Sequence, residues 1–207
     1  MTPRSPCTGV VLAGGLASRF AGAPKGLHEV GGTRIVDRVL AALRDASDAL
    51  LIIANDADAG GWFAGVEVRT DVRSERGSLI GIHSALAHAG QSVLVVAWDM
   101  PFVPAALLVA LRALGESHEA PAVPESDRGL EPLCAYYPLT SLSVIEQHIE
   151  RGTLRLRDIL ESLPHRAVLR RDEVARFGDP HLIFLNVNSP DDLDTAQRAA
   201  SREGMLP

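Results

Sequence analysis

Apolar residues along this chain gather into short unbroken runs, and between the runs they recur at helical spacing. Thr8 to Ala13 (TGVVLA), Ala49 to Ala54 (ALLIIA) and Ser92 to Trp98 (SVLVVAW) are the clearest runs, each predicting a strand buried on both faces. Val66 to Thr70 predicts a shorter strand. Ile35, Val36, Val39, Leu40 and Leu43 form one apolar stripe, which predicts a helix capped by Thr33. Leu79 to Ala89 and Pro104 to Leu114 predict two further helices, the second with proline at a tolerated first position. Strand and helix thus alternate through the first half, as βαβ units in a mainly parallel sheet do. The second half is less regular, with strands expected over Leu133 to Tyr137 and Leu182 to Val187, and helices over Ser141 to Arg151 and Leu154 to Leu163. Ser189-Pro190-Asp191-Asp192 then opens a last helix with a capping serine, a first-turn proline and acids that suit the helix dipole. No repeat or low-complexity linker interrupts the pattern, so the expectation is one α/β domain over residues 1–207.

Composition narrows the class. With 207 residues, 46% of them hydrophobic and 22% charged, the chain has the makings of an ordinary globular core. A net charge of −6 argues against a protein held to nucleic acid or an anionic membrane by bulk charge. The apolar runs, Val93 to Trp98 among them, are far short of the ~18 residues that a membrane span needs. Two cysteines, Cys7 and Cys134, make neither a disulfide framework nor a metal knuckle, which fits a reducing cytoplasmic setting. Local composition says more. Residues 1–40 carry five basic and two acidic residues, and seven of the 18 glycines lie in the first 32 positions. Of the 20 basic residues, Lys25 is the only lysine. A basic, glycine-rich amino end on an otherwise acidic chain outlines a local anion site.

In an open parallel sheet, ligands bind at the carboxyl ends of the strands. The residues following the predicted strands are Gly14-Gly15, Asn55, Asp71 and Asp99, and Asn186 and Asn188 close the last one. The chain's three asparagines all fall in that set. The loop from Gly14 to Gly26 (GGLASRFAGAPKG) is neither a Walker A loop nor a G-x-G-x-x-G dinucleotide fingerprint. It offers backbone N–H groups free of side chains, together with Ser18, Arg19 and Lys25, a set that suits a triphosphate. Asp99 ends the most apolar strand, where a carboxylate is either hydrogen-bonded by a neighbouring loop or holds a cation. Mg²⁺ bound by one carboxylate plus substrate phosphates matches a lone aspartate.

The run Leu12 to Leu27 (LAGGLASRFAGAPKGL) closely resembles the LAGG…S…R…K signature of nucleotidyltransferases of the MobA type, the molybdenum cofactor guanylyltransferases. Gly77 to Gly81 (GSLIG) is similar to their Gly-Pro-Leu-x-Gly loop near the base. Glu131-Pro132-Leu133 and Asn186-Val187-Asn188-Ser189-Pro190 are similar to their later E-P-L and N-V-N-T-P elements. The resemblance spans roughly residues 8–198, with departures at Ala21, Pro24 and Ser78, where the family often has glycine, aspartate and proline.

That resemblance implies a three-layer, Rossmann-like nucleotidyltransferase fold and transfer of GMP from GTP to the terminal phosphate of the molybdenum-bound pterin, releasing pyrophosphate. It implies GTP contacts from Leu12, Ala13, Gly14, Gly15, Lys25, Asn55, Asp71 and Asp99, and charge stabilisation by Lys25 and Arg19. It implies Mg²⁺ on Asp99, and acceptor contacts from Asn186 and Asn188; Arg155 and Arg157 read first as a charged helix face and only second as acceptor contacts. Residues of about 1–115 form the expected GTP-binding half and about 116–207 the acceptor half. A molybdoenzyme or chaperone is the expected recipient of the product, with no nucleic-acid or membrane partner. Two alternatives stand beside this reading: a CTP-dependent cytidylyltransferase of the same fold, and a non-catalytic nucleotide-binding or chaperone-like member. The double glycine of LAGG, where the cytidylyl relatives usually have LAAG, favours GTP.

Overall fold

The apolar strand β1 (Cys7–Leu12) is followed by two short antiparallel pairs, β2 (Arg19–Phe20) with β3 (Ala23–Pro24) and β4 (Glu29–Val30) with β5 (Thr33–Arg34). Next come α1 (Ile35–Ala46), β6 (Ala49–Ile53), β7 (Glu67–Arg69), α2 (Ser78–Ala89), β8 (Ser92–Ala97) and α3 (Ala105–His118). The second half holds β9 (Ala122–Ser126), β10 (Gly129–Leu130), β11 (Cys134–Tyr137), α4 (Ser141–Glu150) and β12 (Ala167–Leu169), then two one-turn helices and the C-terminal helix Pro190–Glu203. This computed structural model describes residues 5–14, 19–20, 23–63, 65–156, 159–160 and 165–203.

One sheet runs in the order β10-β9-β11-β8-β1-β6-β7, with β12 also paired to β9. β7, β6, β1 and β8 are mutually parallel, and β11 enters antiparallel between β8 and β9. Strand residues alternate between two cores. Val11, Ile52, Leu94 and Val96 pack under α1 and α3, while Val10, Leu51, Val93 and Val95 pack under α2 and α4. That is why the strands read as unbroken apolar runs: both faces are covered by helices. The result is the expected three-layer, Rossmann-like α/β architecture with a mainly parallel sheet. A third cluster of Val30, Ile35, Phe102, Val187, Ala196 and Ala200 fastens the C-terminal helix beside β4 and β5. Among the described residues, no helix is long and apolar enough to cross a membrane.

The structure corrects several local expectations. Thr33 does not cap α1 but pairs in β5, and the cap position falls to Arg34, whose guanidinium bonds both oxygens of Asp37. Pro104 stands at the cap position of α3, one residue before the helix. Leu182 to Val187 is not a strand. Asp179 accepts a hydrogen bond from the His181 N–H and starts the helical turn Pro180–Ile183, after which the chain is irregular. The apolar side chains there serve the cores instead of a ladder, Ile183 and Phe184 in the first and Val187 in the third. Of the helix expected over Leu154 to Leu163, Leu156, Ile159 and Leu160 are helical and buried, and 157–158 and 161–164 lie outside the described residues. β9, β10 and β12 had no counterpart in the sequence reading.

Candidate functional site

Because β1, β6, β7 and β8 are parallel, their carboxyl ends share one edge, and Gly14, Asn55, Asp71 and Asp99 follow those ends. The ladder continues slightly past the strands. Ala13 N–H donates to Ile53 O at 2.9 Å and Trp98 N–H to Leu12 O at 3.3 Å. Ala13's amide is therefore occupied by the sheet. Gly14 is exposed and open, with no atom within 4 Å of where a Cβ would stand. Gly15, Ser18, Ala21 and Arg157 lie outside the described residues, as does the side chain of Arg19.

Lys25 opens a single 3-10 turn, Lys25–Leu27, and is only 8% exposed. Its ammonium donates to Asn188 Oδ1 across 163 positions of chain. The preceding Pro24 sits at φ −61° and ψ 135°, ordinary values for proline, and pairs with Arg19 in the β2–β3 ribbon. The departure from the family pattern at Pro24 is thus compatible with an inward-facing lysine. Gly26 lies against an indole. A Cβ built on it would stand 2.5 Å from Trp98 Cε3 and 2.9 Å from Cδ2.

Asp99 is held through its backbone, its carbonyl accepting from Val187 N–H at 2.9 Å. Its Oδ1 is buried and has no hydrogen-bond partner among the described residues. Burial pushes the Asp99 carboxyl above its ordinary value, and the nearby positive charge of Lys25 opposes that shift. Of the alternatives set by the sequence, a carboxylate satisfied by a neighbouring loop is not the arrangement present. A buried carboxylate oxygen left unsatisfied suits a cation.

Asn55 and Asp71 hold each other across the ends of β6 and β7. Asn55 Nδ2 donates to Asp71 Oδ2 at 2.6 Å, and Asp71 N–H donates to Asn55 Oδ1 at 2.8 Å. Asp71 Oδ1 is buried and unpartnered among the described residues, so the pair keeps one acceptor for another group. The next residue, Val72, donates its N–H to Ser84 Oγ on α2 at 3.0 Å. Gly77 precedes α2 at φ +136°, a conformation L side chains rarely adopt, which accounts for glycine at the start of the GSLIG segment.

Of the two residues expected to contact the acceptor, Asn188 reaches Lys25, whereas the Asn186 amide donates locally to Phe184 O at 3.1 Å. Neither closes a strand; both lie on the connection into the C-terminal helix. Arg155 is exposed. Asp192 accepts from the N–H groups of Asn188 and Ser189 and from the Ser189 hydroxyl. Burial pushes the Asp192 carboxyl up, but those bonds and the Lys25 charge outweigh it and hold it below its ordinary value. Sequence reasoning identified Asp192 as an acid suited to the helix dipole, without its place near Lys25. It also missed Trp98 and Ser84, whose roles depend on contacts between distant segments.

The comparisons agree with this geometry. The model of the MobA-like NTP transferase domain matches residues 9–168. The chain is 35% identical over 195 residues to the molybdenum cofactor guanylyltransferase of Desulfosudis oleivorans, covering 93% of this chain and 95% of that one. It is 32% identical over 187 residues to the enzyme of that name from Pseudomonas syringae pv. syringae, covering 89% and 90%. The crystal structure of molybdopterin-guanine dinucleotide biosynthesis protein A from Archaeoglobus fulgidus has a TM-score of 0.80 at 29% identity, covering 94% of this chain and 99% of that one. With the strand-end residues, the lysine-bearing loop and these likenesses in agreement, the chain belongs to the MobA-like NTP transferase family.

Proposed function

We propose that this protein transfers GMP from GTP to the terminal phosphate of the molybdenum-bound pterin, forming the guanine dinucleotide and releasing pyrophosphate. The observation that carries the reading is the buried ammonium of Lys25 beside the unpartnered carboxylate oxygen of Asp99, at the carboxyl edge of a parallel sheet. The two relatives described above carry the name guanylyltransferase, which supports GTP as donor.

The chemistry asks little of side chains as nucleophiles or bases. An acceptor phosphate oxygen attacks the α-phosphorus of GTP, the bond from that phosphorus to the β-bridging oxygen breaks, and pyrophosphate leaves with the electron pair. The attacking group is already an anion, so positioning and charge neutralisation supply the rate. Lys25 meets negative charge developing on the phosphates, with Arg19 assigned the same role. Backbone N–H groups of Gly14 and Gly15 are assigned to the phosphates, and Leu12 to a further GTP contact. Asn55 and Asp71 hold the nucleoside, using the Asp71 oxygen left free by their mutual pairing. Asn188 and Asn186 belong to the acceptor side, so residues of about 1–115 serve the donor and about 116–207 the acceptor.

Asp99 fits Mg²⁺, because one buried oxygen without a partner is what a cation shared with substrate phosphates requires. Bound there, Mg²⁺ would neutralise phosphate charge. The product would pass to a molybdoenzyme or its chaperone in the cytoplasm.

The first test is a thermal-shift panel of GTP, CTP, ATP and UTP, each with and without Mg²⁺, followed by pyrophosphate release with purified acceptor. A Mg²⁺-dependent shift for GTP alone, on the order of 5–10 °C near saturation, is the expected result. A shift for CTP alone overturns the choice of donor, and absent pyrophosphate release overturns the transfer. Lys25→Ala and Asp99→Ala should each lower turnover by about 10²-fold or more, the scale of one preorganised charge partner. Near-normal rates in both would remove these residues from the site.

A further inference from the structure

We propose that the Trp98 indole, backed by Trp62, is the platform on which the lysine loop is set, and hence the positioning residue for Lys25. The catalytic importance of Lys25 rests on the functional reading above; the placement of its loop does not. Trp98 is 2% exposed, and Gly26 lies so close that a Cβ there would meet ring atoms Cε3 and Cδ2 at 2.5 and 2.9 Å and the Trp98 carbonyl at 3.1 Å. Only a residue without a side chain lets backbone approach an indole so closely. The residue after the lysine is thus pressed on the ring, and Lys25 has little freedom apart from its own torsions.

The platform is itself braced. Trp62 stacks on Trp98 with ring centroids 6.1 Å apart and planes 17° from parallel, and Phe63 meets Trp62 edge-on at 6.0 Å and 76°. Arg34 fixes the Trp62 backbone, its Nη1 donating to the Trp62 carbonyl at 2.9 Å while the same guanidinium holds Asp37. Trp98 also ties the site together along the chain. Its N–H bonds the carbonyl of Leu12 and its neighbour is Asp99. One aromatic residue therefore adjoins the phosphate-loop strand, the lysine loop and the metal-binding aspartate. Stacked aromatics in a packed core resist sliding because their contacts are short-ranged and dense. The chain's only two tryptophans are the two that form this stack.

Lys25 is the only lysine of the chain, so an amine-selective reagent reports on it with no other ε-amine competing. The experiment measures the rate at which trinitrobenzenesulfonate modifies Lys25, followed by peptide mass mapping, in the full chain without substrate. Wild type should react slowly, since the ammonium is buried and bonded to Asn188. Trp98→Phe, which keeps a flat ring, should stay near the wild-type rate, whereas Trp98→Ala should react at least about tenfold faster by easing local opening of the loop. Gly26→Ala reaches the same point without making a cavity, by lifting the loop off the indole, and serves if Trp98→Ala does not fold by circular dichroism. Wild-type rates in folded Trp98→Ala or in Gly26→Ala overturn the proposal. In the catalytic assay, Trp98→Phe should restore turnover lost in Trp98→Ala, with the loss in kcat and little change in the KM for GTP. Absence of GTP turnover in the wild type would overturn the functional reading while the modification rates still decide the platform.

Discussion

Asp99 and Asp192 flank the same lysine and yet titrate in opposite directions, because different groups face each carboxylate. At Asp99 burial dominates and the Lys25 charge only partly offsets it, so the group is harder to ionise in the folded chain than in the unfolded one. Its ionisation therefore works against folding, a cost that is absent in acid and complete once pH exceeds the raised folded value. Asp99→Asn removes the charge at nearly constant shape. It should melt at a higher temperature than wild type near neutral pH and lose that advantage at about pH 3, where the ordinary carboxylate is mostly protonated. Melting scans at both pH values check this. An unchanged difference across pH would show that ionisation is not its source. The same variant should lose turnover, the usual exchange of stability for function at a charged site.

The C-terminal helix shows how an element far along the chain enters the site. Its first turn carries Asp192, which gathers two backbone N–H groups and a hydroxyl and sets Asn188 where Lys25 can reach it. Further along, Gln197 accepts from the Gly31 N–H and donates to the Glu29 carbonyl, tying the helix to the β4–β5 turn. Asp192→Ala should cost about 1 kcal/mol, the scale of a lost helix cap. Since the Asp192 carboxyl lies below its ordinary value, its contribution is present above the ordinary carboxylate range and lost as pH falls through the lowered one. Denaturant titrations of variant and wild type should therefore differ at neutral pH and converge in acid. The capping pattern here was legible because capping is local. The Leu182 to Val187 segment was misread for the opposite reason: its apolar residues are divided between two cores, a division that strand and helix periodicities do not encode.

At the scale of the whole molecule, a polar cluster that ties α3 to the start of the sheet lies at the edge opposite the site. The Arg112 side chain, 3% exposed, leaves α3 to bond the carbonyls of Ser5 and Ala46 and the carboxylates of Asp48 and Glu116. Asp48 in turn accepts from the Cys7 N–H at the start of β1. Arg112→Met should cost about 2 kcal/mol, because it leaves the buried Ala46 carbonyl and the half-buried Glu116 carboxylate without this partner. At a temperature where the variant remains folded, the KM for GTP should stay at the wild-type value. A changed KM would mean that the two edges of the sheet are coupled.

The sequence by itself determined the layered α/β fold and most of the strand ends. A strand buried on both faces must be written as an unbroken apolar run, and a parallel sheet brings the residues after those runs to one edge. It also marked Lys25, by the absence of any other lysine, and the glycine-rich loop before it. Tertiary structure decided what these residues touch. Asn188 bonding Lys25, Asn55 pairing with Asp71, and Gly26 lying on Trp98 join positions that no local rule relates. Only packing of the C-terminal helix against β4 sets Asn188 beside the lysine, and only the assembled core buries Asp99 deeply enough to leave one of its oxygens without a partner among the described residues. Periodicity records which face of an element is buried; the partner it is buried against depends on the remainder of the chain.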